Sequence, residues 1–102
     1  MPLMRGLTIV VVSCDPGRWD AALTLASAEA ALGGRTRVYC HDAAVTLIAP
    51  SDLLATAREL GVTLIACQTG LATHGMALPE GVEGGGLVSL LAELDDDRLV
   101  TI

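Results

Sequence analysis

Leu7-Thr8-Ile9-Val10-Val11-Val12-Ser13, broken by Asp15-Pro16-Gly17 and followed by the Ala-rich segment Arg18 to Leu32, is the stretch on which the fold turns. The opening run is almost continuously apolar and β-branched, which marks a strand buried on both faces. Pro16 and Gly17 supply turn geometry. Arg18 to Leu32 reads as a helix, ended by Gly33-Gly34. Its polar residues Asp20, Thr24 and Ser27 share one narrow face, and alanines cover most of the rest. So small-sided a helix can lie very close to a sheet or to another helix. Thr36 to Cys40 is the second strand. Strand, helix, strand is the repeating unit of a parallel sheet.

The pattern continues beyond it. His41-Asp42 is a short break, followed by a weak helical turn from Ala43 to Ile48 and a stop at Pro50. Ser51 is a good N-cap for a helix from Asp52 to Leu60, which Gly61 terminates. Val62 to Ala66 is a third strand and delivers Cys67, after which a short helix runs from Thr69 to His74. Pro79, Gly81 and the glycines Gly84 to Gly86 read as a flexible loop. Leu87, Leu90, Leu91 and Leu94 recur with helical spacing, and Arg98 to Ile102 is the closing strand. The expectation is one α/β domain over residues 1–102. Its architecture is a three-layer α/β/α sandwich on a mainly parallel sheet of four to five strands, four of them secure in the sequence. Val10, Val12, Val38, Leu64, Ile65 and Val100 are expected in its core. Right-handed crossovers bring the carboxyl ends of the strands to one edge, where open α/β sheets bind ligands. Cys14, Cys40, His41 and Cys67 all fall at such ends.

Composition narrows the classes of function. Hydrophobic residues make up 52% of the 102-residue chain, yet aromatics only 2%, with no Phe. A mean hydropathy of +0.58 implies more apolar surface than one small core hides. No stretch reaches the roughly 18 apolar residues of a membrane span, so further subunits are expected to cover the remainder. The net charge is −6 and all six basic residues are arginines, which disfavours nucleic acid and anionic membranes as partners. Asp95-Asp96-Asp97 reads as a solvated turn before the last strand rather than a cation site. Met1 to Gly6 is too short and too quickly interrupted for a signal peptide. Three cysteines, without CxxC or Cys/His spacing, argue against a disulfide framework and a structural metal. Reduced thiols and the missing export signal point to the cytoplasm. The glycine run lacks the spacing of a phosphate-binding loop, so no nucleotide cofactor is expected. Trp19 reads as a packing or interface residue.

The chemistry centres on Cys67, in Leu64-Ile65-Ala66-Cys67-Gln68-Thr69-Gly70. It closes an apolar strand and opens a helix, where unpaired N–H groups and the positive end of the dipole favour a thiolate. On these residues alone a reactive thiol and a structural one fit equally well. Cys14 and Cys40 read as small buried hydrophobes, with a supporting role at the site as the alternative. His41 and His74 are candidates to orient or deprotonate a thiol, although His74 lies about two helical turns beyond Cys67.

A resemblance bears on that choice. Asp15-Pro16 and the Ala-rich helix ending in Gly33-Gly34 are followed by Arg37-Val38-Tyr39, His41-Asp42-Ala43-Ala44-Val45 and Ala57-Arg58-Glu59-Leu60-Gly61-Val62. Then come Ala66-Cys67, Gly75-Met76, Gly81-Val82-Glu83 and Asp97-Arg98-Leu99-Val100. In this order, over nearly the whole chain, they resemble the DsrE/DsrF-like family, which includes sulfur-relay proteins of the TusD kind. The chain is shorter than many relatives, and the family has five strands. The resemblance implies that Cys67 matches the cysteine that carries a persulfide in sulfur-transferring members. It further implies trimers, or hexamers built from trimers, and protein partners that donate and accept sulfur. No cysteine lies near the C-terminus, where acceptor partners carry one, so a donor or intermediate role fits. Thiol exchange needs a low-pKa, accessible sulfur and no cofactor. The expected function is thus a cytoplasmic, sulfurtransferase-type sulfur carrier. The alternative is a non-catalytic binding or assembly subunit with a ligand cleft at the strand ends.

Overall fold

The computed structural model describes residues 5–102. Met1 to Met4, most of the segment read as no leader, lie outside the described residues. The elements are β1 (Leu7–Val11), α1 (Pro16–Ala31), β2 (Thr36–Cys40), a 3₁₀-helix (Asp42–Leu47), α2 (Asp52–Glu59), β3 (Thr63–Cys67), α3 (Gln68–Thr73), β4 (Glu83–Gly85), α4 (Leu87–Ala92) and β5 (Arg98–Thr101). All strands are parallel, in the order β4-β3-β2-β1-β5. The result is a three-layer α/β/α sandwich, and no helix among the described residues is long and apolar enough to cross a membrane.

Local chemistry sets the helix ends. The Asp15 carboxylate accepts the Arg18 N–H at 2.9 Å, and Pro16 occupies the first turn of α1, where a missing N–H costs nothing. Ser51 caps α2 by accepting the Leu54 N–H at 3.0 Å. Gly33 and Gly61, with φ of +93° and +92°, take the left-handed conformation that ends each helix. Trp19, Ala22, Leu23 and Ala26 bury one face of α1, so Trp19 is a packing residue. α1 packs on β1 and β2 and against α2.

Side chains alternate across the sheet. Leu7 faces α1, whereas Thr8 and Arg37 face the opposite layer, where the Arg37 guanidinium reaches the Leu90 carbonyl of α4 at 3.4 Å. That second layer is thin. α4 is six residues long, about 9 Å, against about 19 Å across five strands. Val12, which follows Val10 in the alternation, therefore lies beyond its cover and is 51% exposed, contrary to the sequence expectation. Val10, Val38 and Leu64 are buried as expected, while Ile65 and Val100 are half-buried.

Two more readings change. Gly84 to Gly86 was expected to be a flexible loop, yet Glu83–Gly85 is an additional strand, β4, paired in parallel with β3. Glycine carries no strand signal of its own. It is used here because a Cβ at Gly85 would meet the Ile65 side chain at 2.8 Å. Asp97 was expected to be solvated, but it is buried. Its carboxylate accepts the Thr8 hydroxyl at 3.0 Å and lies 3.5 Å and 3.6 Å from the Nε atoms of Arg35 and Arg37. Thr8 in turn accepts from Arg37 at 2.9 Å. One charge network thus ties β1, β2 and the start of β5 together. Asp95 and Asp96 remain exposed.

Removing the charge of Asp97 leaves a buried guanidinium without its counterion. Asp97→Asn is expected to lower unfolding free energy by about 3 kcal/mol, and Asp96→Asn by less than about 0.5 kcal/mol, in urea titrations.

Candidate functional site

β2 and β3 place the chemistry. Their register pairs Tyr39 with Ile65, so continuing it by two residues sets His41 beside Cys67 on the face that Tyr39 also shares. The His41 N–H donates to the Val11 carbonyl at 2.9 Å, which extends the ladder past β2. These side chains line a cleft of about 420 Å³ with Asp42, Gln68 and Thr69, closed on the far side by Gly85, Gly86 and Leu87. The edge strand that was read as a loop is therefore one wall of the cleft.

Cys67 is only 7% exposed. Burial opposes its ionisation, yet its thiol is held below the ordinary range by the donors around it: the Tyr39 phenol and the N–H groups of Asp42, Gly70 and Thr69. The Gly70 N–H makes a direct hydrogen bond to Sγ at 3.3 Å. Burial first, and then the neighbouring sulfur, push the Tyr39 phenol well above its usual value, so it stays protonated and donates. The sequence suggested the helix dipole as the cause. In a six-residue helix, local N–H groups aimed at the sulfur supply the effect.

Gly70 makes this cradle possible. A Cβ there would stand 2.5 Å from the Asp42 carbonyl oxygen, so α3 and the 3₁₀-helix approach as closely as backbone allows. Asp42 adopts φ +49°, a left-handed conformation that Asp tolerates better than most residues. Its backbone N–H is one of the donors that lower the Cys67 thiol.

The remaining candidates divide. His41 joins Cys67, and its Nδ1 is buried without a hydrogen-bond partner among the described residues. His74 is exposed at the far end of α3 and is not part of the cleft wall. Cys40 alternates onto the opposite face, where burial pushes its thiol up to about 12. Cys14 is exposed just beyond β1, not buried as expected, and does not line the cleft. Among the described residues no group of three His, Cys, Asp or Glu side chains is placed to hold a metal.

Tyr39, Asp42, Gly70 and Gly85 are the parts of the site that sequence reasoning missed. Tyr39 and His41 share a strand face by alternation, a signal present in the sequence. Which residue of β3 stands beside them depends on register. No family model and no curated protein sequence matches the chain.

The thiolate cradle is directly measurable. The rate of Cys67 alkylation, followed by peptide mass mapping, is expected to reach its plateau at a pH below that of an ordinary thiol. Gly70→Ala, by forcing Asp42 away from the sulfur, should move that midpoint upward.

Proposed function

We propose that the chain is a sulfur carrier, a cytoplasmic protein similar to the DsrE/DsrF-like family, with Cys67 as the atom that holds the cargo. The observation that carries this reading is the ring of donors around Cys67 Sγ at the floor of an open cleft. The thiolate is the nucleophile in sulfur exchange, and a site whose donors lower the thiol's pKa is prepared for that step. Cys67–S⁻ attacks the outer sulfur of a donor persulfide R–S–SH. The donor S–S bond breaks, Cys67–S–SH forms, and R–S⁻ leaves. A partner thiol then takes the outer sulfur and returns Cys67 to the thiolate.

A second reading has one specific observation in its favour. Cys67 is 7% exposed, a value suited to a structural thiol in a subunit that uses the same cleft to bind a small ligand or a partner. The two readings part on covalent chemistry alone.

In either case we propose assembly with copies of the same chain, as a trimer or a hexamer, with sulfur-donor and sulfur-acceptor proteins as the carrier's other partners. Val12, Leu32, Val88, Leu91 and Leu99 are large apolar side chains left exposed, with Val88 at 86% and Leu32 at 71%. Such surface suits burial in an obligate interface.

Intact-mass measurement after incubation with a persulfide donor is expected to show one added sulfur, mapped to Cys67 and lost in Cys67→Ser. Uptake by Cys67→Ser equal to that of the unaltered protein would leave the binding subunit as the reading. Light scattering at micromolar concentration should give a mass several times the 10.5 kDa of the chain. A monodisperse monomer contradicts the assembly.

A further inference from the structure

A thiol tuned toward thiolate has a chemical weakness as a sulfur acceptor. The features that stabilise Cys67–S⁻ also make it a good leaving group, so loading from an ordinary thiol's persulfide runs against the difference in basicity. The departing R–S⁻ has to be captured by a proton for transfer to go forward, and the acceptor thiol has to lose one for unloading. A complete exchange site therefore holds a group that gives a proton in one half and takes it in the other.

One such group stands there. His41 follows β2 directly, and the β2–β3 register, continued one step past its last pair of Cys40 with Ala66, sets it beside Cys67 on the same face, with neighbouring strands about 4.8 Å apart. It lines the cleft that holds the sulfur. Its Nδ1 is buried and finds no hydrogen-bond partner among the described residues, which leaves it free to handle a proton inside the cleft. The Tyr39 ring stands 6.2 Å from the imidazole, centroid to centroid, and limits its freedom. The titratable groups around His41 are Tyr39 of β2, Asp42 of the 3₁₀-helix and Cys67 of β3; α4 contributes only Leu87 beside Gly86. Tyr39 is held protonated and serves as a donor, so it cannot take a proton back at neutral pH. His74 is on the far end of α3 and Asp97 is locked in its charge network.

We propose that His41 is the proton carrier of sulfur exchange at Cys67, an inference that rests on the carrier reading. In loading, Cys67–S⁻ takes the outer sulfur of R–S–SH, and imidazolium His41 protonates the departing R–S⁻ to R–SH. In unloading, neutral His41 removes the proton from the acceptor R′–SH. The resulting thiolate takes the outer sulfur, releasing Cys67–S⁻ beside imidazolium His41. The sum is R–S–SH plus R′–SH giving R–SH plus R′–S–SH. No oxidant or reductant enters, and the cycle closes.

The test compares two reactions of the same sulfur. Single-turnover loading from glutathione persulfide needs a proton for the leaving thiolate; alkylation by iodoacetamide expels iodide and needs none. At neutral pH His41→Gln is expected to load about 10²-fold more slowly while alkylating Cys67 within about two-fold of the unaltered rate. Added imidazole should restore loading in His41→Ala. Loading by His41→Gln at the unaltered rate overturns the proposal and leaves the carrier reading intact. Loading and alkylation falling together also overturn it, because His41 would then act only through the thiolate or the fold. Failure of the unaltered protein to load, with normal alkylation, removes the carrier reading and this inference with it.

Discussion

Parallel pairing of β1, β2 and β3 in a single register is the constraint on which the rest depends. It brings the carboxyl ends of these strands to one edge, and it fixes which side chains share a face. Tyr39, His41 and Cys67 alternate onto the thin side of the sheet, whereas Cys40 and Ala66 turn toward α1 and α2. A slip of one residue between β2 and β3 exchanges those faces. Cys40 would then enter the cleft and Tyr39 would be driven into the helix-packed core. The chemistry of the site is thus a property of strand registration before it is a property of any one residue.

The thin layer over that face explains why polar groups collect there. The six-residue α4 buries only Leu90, fewer apolar side chains than α1 brings to the other face, so polar groups fill part of this side. Two polar arrangements occupy the gap. Toward the amino ends of the strands, Thr8, Arg37 and Asp97 satisfy one another, and Arg35 at the rim stands as a second cation beside the same carboxylate. Toward the carboxyl ends, the sulfur of Cys67 is met by a phenol and by backbone N–H groups, none of which brings a positive charge. The buried ion pair of Arg37 and Asp97 is acceptable because donors and acceptors are already fixed by the sheet.

Glycine serves the two places where backbone meets backbone too closely for a side chain. Gly70 lets α3 press against the turn at Asp42, and Gly85 lets the edge strand close the cleft against Ile65. Both look like weak points in the sequence, a helix with a poor helix former and a strand with no strand former. Their cost in local propensity, about 1 kcal/mol for a helical glycine, is offset by contacts that only a missing Cβ permits.

Much of the fold was legible in the sequence, because it rests on local rules. The β-branched run at Leu7, the caps at Asp15 and Ser51, and the glycines that end α1 and α2 act within a few residues of themselves. The placement of Cys67 at a strand end and helix start is equally local. What escaped was decided at a distance. Asp97 looks solvated beside Asp95 and Asp96 until β5 sets it against Thr8 and Arg37, which are far away in the chain. Val12 continues an apolar strand but outruns the helix that would cover it. Gly85 becomes a strand only because β3 offers it a ladder. By itself the sequence determined the α/β order of elements and the residue to watch. Only the tertiary structure decided that Tyr39, His41, Asp42 and Gly70 surround that sulfur while Cys14, Cys40 and His74 do not, because hydrogen-bonded register, and not composition, selects neighbours across a parallel sheet.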